Sequence, residues 1–297
     1  MQDFVMKIQT QCVPCLLKRI IFEANQSTKD KELRTEVIQK SCKLLAELYD
    51  PNVCSASIAT KVHRLVYDTL GDEDPYKELK EVSNKIALSL VPRAEELIKN
   101  SKEPLKTSMV CSIIGNLMDY GIEGASNRPE LLLEVFDKSV EEGLGYDDYD
   151  KLKELLSKSK RVLLFTDNCG EVVFDKILCE ELKKAFPDIY LTLVVKGEDI
   201  LSDATMEDAI SLGFDKIVDE ILTTGCFAVG LDFNKLPKEL DKALNESDLI
   251  ICKGMANYEA FSETNYRPTA YLMRTKCTAI ANSIGIPVNI NAIKVFE

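Results

Sequence analysis

The chain has 297 residues, 29% charged and 45% hydrophobic, with a formal net charge of -12. That length suits one large domain or two smaller ones, and the acidic balance argues against a nucleic-acid partner, which needs a basic footprint. No apolar run approaches the ~18 residues of a membrane span, and no signal-peptide core follows Met1, so no membrane partner and a cytoplasmic location are expected.

Apolar residues recur at helical spacing through the first hundred positions. The spacing predicts helices over 12–24, 30–48 and 55–70, the last stopped by Gly71. Asp74-Pro75 opens a fourth over 76–99, with Pro92 placed to kink or break it. A buried helix is predicted over 106–120, a turn at 127–129, and one or two helices up to Lys158. From Arg161 onward the texture changes. Strand-like runs at 162–165, 191–195, 216–218, 249–252 and 269–273 alternate with helical runs. Such alternation predicts parallel strands joined by crossover helices. The expected fold is α/β, a Rossmann-like three-layer sandwich with a mainly parallel sheet, preceded by an all-helical domain. The division falls at 1–105 and 106–297.

Ten cysteines without a secretion signal are expected to be reduced. Cys42, Cys111, Cys179, Cys252 and Cys277 lie among apolar neighbours and read as small core residues. Cys12-Val13-Pro14-Cys15 begins a helix, where a thiolate is favoured. With His63, the only histidine, Cys12 and Cys15 make a candidate second metal site. A redox pair and two plain buried thiols are the rival readings.

Asp167-Asn168-Cys169-Gly170-Glu171 follows the first strand-like run and precedes a helical one. In an open parallel sheet the carboxyl ends of strands face the ligand crevice. Oxygen donors from Asp167 and Asn168 suit a hard divalent cation. Gly170 allows a close turn, and the helix after it offers N–H groups to an anion. Lys196-Gly197 with Asp203-Ala204-Thr205 follows the second run, and Lys253-Gly254 with Asn257-Tyr258-Glu259 follows the fourth. Asn116 and Asp119, three apart on an apolar helix, are positioned to point at the same cleft. Each has a plain reading: a helix cap for Asp167, a dipole partner for Glu171, turn chemistry for Gly254.

Taken in order, Gly115-Asn116-x-x-Asp119, Asp167-Asn168-x-Gly170-Glu171, Asp203-Ala204-Thr205-x-Glu207-Asp208-Ala209 and Lys253-Gly254-x-x-Asn257-Tyr258 resemble the damage-control phosphatase family. The Cys12-x-x-Cys15 pair and Asp74-Pro75-Tyr76 resemble its archaeal and bacterial branch. The resemblance implies a metal-dependent phosphatase acting on small phosphorylated metabolites, such as sugar phosphates. It implies one divalent cation (Mn, Ni, Co or Mg) on Asp167, Asn168 and Asp203. It places Asn116, Asp119, Lys253 and Asn257 around the substrate, and Asp167, Lys253 and Glu171 in catalysis. Lys196 and Lys276 are rival phosphate binders. A nucleotide-binding module or an S-adenosylmethionine-dependent methyltransferase on a similar sheet is the alternative. No G-x-G-x-x-G follows the strand at 162–165.

Overall fold

Four helices occupy the first hundred residues: α1 (Cys12–Ser27), α2 (Lys31–Leu48), α3 (Ser55–Leu70) and α4 (Lys77–Asn100). The computed structural model describes residues 6–117 and 130–297. Asp30 caps α2, its carboxylate accepting the N–H groups of Glu32 and Leu33 at 2.8 and 3.3 Å. Gly71 ends α3 in the left-handed conformation at φ 65°. Helix α4 runs through Pro92, where a break was expected. Ala87, Ala94 and Ile98 hold it on both sides of the proline, all in one core with Phe136 and Phe174. On α2 the buried positions are Val37, Ser41 and Leu45, and Cys42, one residue off that stripe, is exposed rather than core. Cys111, Cys179 and Cys252 are buried as expected, and Cys277 is half-buried.

The remaining elements are α5 (Pro104–Gly115), α6 (Leu131–Glu142), β1 (Tyr146–Asp147), α7 (Tyr149–Lys158), β2 (Arg161–Phe165), α8 (Glu171–Ala185), β3 (Tyr190–Val195), α9 (Met206–Ser211), β4 (Glu220–Thr223), α10 (Lys238–Glu246), β5 (Leu249–Lys253), α11 (Gly254–Phe261), β6 (Thr269–Arg274), α12 (Thr278–Ile284) and β7 (Asn291–Phe296). Helix α5 stops at Gly115, five residues short of the prediction. Gly115 packs on α8 so closely that a Cβ would meet the Glu171 Cα at 2.8 Å. The predicted strand at 216–218 is instead a 3-10 turn, Phe214–Lys216, entered through Gly213 at φ 81° with Phe214 buried beneath it. The fourth parallel strand comes later, as β4. Strands β1 and β7 were not anticipated. The expected turn at 127–129 lies outside the described residues.

The fold is mixed α/β around a seven-stranded, mostly parallel sheet of order β1-β7-β6-β5-β2-β3-β4. Only β6 and β7 run antiparallel. From β2 the chain steps to β3 and β4 on one side, then returns to β5 on the other, so the order reverses between β2 and β5. Phe165 pairs with Val194 and Cys252, which aligns the carboxyl ends of β2, β3 and β5. Alternation along these strands loads both faces. Val162, Leu164, Leu249 and Ile251 pack with α5, α7 and α8. Leu163, Phe165, Ile250 and Cys252 pack with α10, α11 and α12. A third core joins Ile20, Val37, Leu45, Ile58 and Val62 of the first three helices to Ile200, Leu201, Phe227 and Val229 beyond β3 and β4. That core seats the helical layer over the strand ends. Among the described residues no helix is long and apolar enough to cross a membrane.

Candidate active site

Three loops meet at the carboxyl edge where the strand order reverses. The loop after β2 is stitched to the loop after β3 by backbone. Asn168 and Asp203 form an antiparallel bridge, the Ala204 N–H donates to the Asp167 carbonyl at 2.8 Å, and the Cys169 N–H to the Ser202 carbonyl at 2.7 Å. The loop after β5 closes from the other side. Gly254 has φ 72°, and a Cβ there would lie 1.8 Å from Asp167 Oδ2. Only glycine fits that conformation and that approach. Leu201 also has a positive φ, 52°, and its N–H donates to the Tyr67 hydroxyl at 3.0 Å. For a leucine this backbone is strained, and it sits beside the site, where strain is often held.

Asp167, Asn168 and Asp203 are all buried, and all line one cavity of about 140 Å³. Its other wall comes from the helical layer, including Cys12, Cys15, Arg19, Ser55 and His63, with Glu259 of α11 between. Two carboxylates and an amide oxygen are the donor set a hard cation takes, and here one loop pairing fixes all three against one space. Asp167 Oδ2 accepts the side-chain N–H groups of Asn116 and Asn168, each at 2.8 Å. Asn168 Oδ1 takes the Ser202 hydroxyl at 2.5 Å, and Lys196 Nζ stands 3.3 Å from Asp203 Oδ2. These two carboxylates and the amide oxygen could hold a divalent cation, and their hydrogen bonds fix the orientation of each side chain.

The matched family model is the "Damage-control phosphatase ARMT1-like domain", over residues 8–290. The chain belongs to the damage-control phosphatase family. It is 43% identical to a damage-control phosphatase of Archaeoglobus fulgidus, over 98% of this chain and all of that one. It is 31% identical to a damage-control phosphatase of Pyrococcus horikoshii, over 95% and 96% of the two chains. The crystal structure of a family protein from Pyrococcus horikoshii superposes with a TM-score of 0.88 at 29% identity, covering 98% of this chain and all of that one.

The damage-control phosphatase motifs divide in space. Asp167, Asn168 and Asp203 reach the cavity. Asn116, Glu171 and Lys253 form a chain behind Asp167: Asn116 Nδ2 also donates to Glu171 Oε2, and Lys253 Nζ donates to Glu171 Oε1. Lys253 Nζ also lies 2.8 Å from Asp175 Oδ1, which takes the Ser112 hydroxyl at 2.6 Å. Glu171 and Asp175 hold Lys253, fully buried, and it is not among the cavity-lining residues. Burial works against its ammonium, but Asp175 and Glu171 outweigh that and hold its pKa above the ordinary lysine value. Asn257 donates to the carbonyls of Thr166 and Lys253 at 2.9 and 2.8 Å, tying β2 to β5. Asn116 lies in the turn after α5, not on the helix face expected for it, and Asp119 is outside the described residues.

Two further expectations change. The start of α8 was read as an anion site. Instead the Gly170 N–H donates to Asn84 Oδ1 at 2.6 Å, Val172 to the Asn168 carbonyl and Val173 to the Gly170 carbonyl. Asn84 on α4 had no signal in sequence. The Cys12 thiol was placed where a thiolate is favoured, but burial pushes it up to about 11. No two of the ten cysteines form a disulfide. Among the described residues no group of three or more His, Cys, Asp or Glu is arranged to hold a metal. His63 is fully buried, with Nδ1 2.8 Å from Glu23 Oε1, so Cys12, Cys15 and His63 gain no support as a second metal site.

Proposed function

We propose that this protein is a divalent-metal-dependent phosphomonoester hydrolase acting on small phosphorylated metabolites, with the cation on Asp167, Asn168 and Asp203. The observation that carries the reading is the common cavity of those three side chains, from two strand-end loops joined by the Asn168–Asp203 bridge. A bound Mn, Ni, Co or Mg ion would polarise a phosphoryl oxygen and favour ionisation of a water. The protein's own residues supply position. Asn116 and Asn168 orient Asp167. Glu171 and Lys253 fix Asn116 from behind, and Lys196 holds Asp203. Asn257 and Gly254 set the distance between the two central strand ends.

The cavity volume, about 140 Å³, is below the ~300–1,000 Å³ of a drug-sized ligand site. It favours a compact ester over the nucleotide or S-adenosylmethionine of the alternative reading. Ten cysteines without a disulfide agree with a reducing, cytoplasmic setting. The test is a screen of phosphorylated metabolites and aryl phosphates with each of the four metals and with chelator. Phosphate release that depends on added metal is expected. Release unaffected by thorough chelation, or none from any ester, would overturn the reading.

A further inference from the structure

We propose that His63 is a catalytic residue, donating from Nε2 the proton that the leaving oxygen of the substrate takes up, with Glu23 as its positioning residue. The proposal rests on the phosphatase reading of the cavity. His63 on α3 is 1% exposed and Glu23 on α1 is 0% exposed. Nδ1 lies 2.8 Å from Glu23 Oε1, and the Tyr76 hydroxyl donates to that same oxygen at 3.3 Å. The carboxylate thus fixes the ring plane and keeps a proton on Nδ1. Nε2 is buried with no hydrogen-bond partner among the described residues, yet His63 is part of the cavity wall shared by Asp167, Asn168 and Asp203. A buried polar atom without a partner is costly, so this one is built for a group that enters the cavity. The strand-end wall takes the phosphoryl group. The organic half of the ester must then lie against the helical wall, where His63 stands.

The step balances as follows. The bond from phosphorus to the leaving oxygen breaks, and its electron pair goes to that oxygen. The ring enters the step protonated on both nitrogens; the Nε2 proton moves to the oxygen, and the N–H electron pair stays on the ring. Nδ1–H remains on Glu23. The oxygen that replaces the leaving group on phosphorus comes from water, which releases one proton to solvent, and the ring takes one proton back from solvent after the alcohol departs.

Two aryl esters that differ in the basicity of the leaving oxygen separate this role from a structural one. p-Nitrophenolate leaves without help, whereas phenolate needs a proton. In His63→Gln, kcat on phenyl phosphate should fall about tenfold further than kcat on p-nitrophenyl phosphate. Glu23→Gln should show the same preference, more weakly. Equal losses on both esters, or no loss, overturn the proposal. A second measurement needs no variant. The chain has a single histidine, so 15N-histidine labelling gives one pair of ring nitrogen signals. The Nε2 signal should move on adding inorganic phosphate with Mg, and a signal unmoved at saturation overturns the assignment. Wild-type protein that releases phosphate from no ester of the metabolite and aryl phosphate screen overturns the phosphatase reading itself, and the proposal falls with it. Wild-type activity with no ester preference in the variants sinks only the role of His63.

Discussion

The two sides of Asp167 are built from the same residue types to opposite ends. On the cavity side, Asp167, Asn168, Asp203 and Glu259 border open space. On the sealed side, Glu171, Asp175, Asn116 and Lys253 contact one another and are buried. Acid, amide and lysine at strand ends look alike in sequence. What separates them is whether their side chains border the cavity. The enclosed cluster gives orientation, and the cavity-facing one is open to a ligand.

The largest effect should come from the cavity side. Asp167→Ala is expected to lower metal-dependent phosphatase turnover by more than ~10⁴-fold, about 5.5 kcal/mol, while far-ultraviolet circular dichroism stays native. Gly254→Ala should approach that loss with every polar group intact, because its Cβ would occupy the place of Asp167 Oδ2. Near wild-type turnover in either variant at saturating metal would remove Asp167 from the mechanism. Lys253→Met tests the sealed side. It leaves Glu171 and Asp175 buried without their cation and should cost about 3–5 kcal/mol in urea unfolding. A lysine that served the substrate alone would show a kcat/KM loss with unchanged stability, and that result would move Lys253 to the cavity side.

Glu259 tests the contrast by pH. Burial pushes its carboxyl up to about 7, with only the Ser55 hydroxyl and the more distant Arg19 pulling down. A raised folded pKa means the native state holds the proton more tightly. The stability this gives is fully present below about pH 4.5, and is lost as pH rises to about 7. Glu259→Gln should therefore be about 1–3 kcal/mol more stable than wild type at pH 8, and much closer to it at pH 4. Parallel pH curves for the two proteins would show Glu259 to be ordinarily solvated. The smallest effect is expected from Asn257→Ala, which loses two hydrogen bonds to backbone carbonyls, about 1–2 kcal/mol, with KM little changed. A large rise in KM at full stability would place Asn257 against the substrate.

Much of the fold was legible because period and punctuation agreed. Residues 55–70 read as a helix ending at a glycine, and α3 has those bounds. Four of the five strand-like runs are strands. The run at 216–218 misled because apolar residues around a 3-10 turn resemble a short strand. The three cavity-facing oxygen donors were legible as strand-end residues. The separation of Lys253 from the cavity was not, since it depends on Asp175, one helical turn beyond Glu171 on α8, and on where α5 stops. His63 was visible as the only histidine, but its meaning needed Glu23, forty residues earlier on another helix.

The third hydrophobic core has a consequence for how the protein fails. One side of the cavity wall belongs to α1 and α3, and these helices are pinned to the strand-end loops through Ile200, Leu201, Phe227 and Val229. The sheet has its own two cores on either face. A partial opening that lifts the helical layer would dismantle the pocket and leave β2, β3 and β5 protected. Catalytic output would then report docking between two layers, and under mild heat it would fade while the amides of the central strands still resisted exchange.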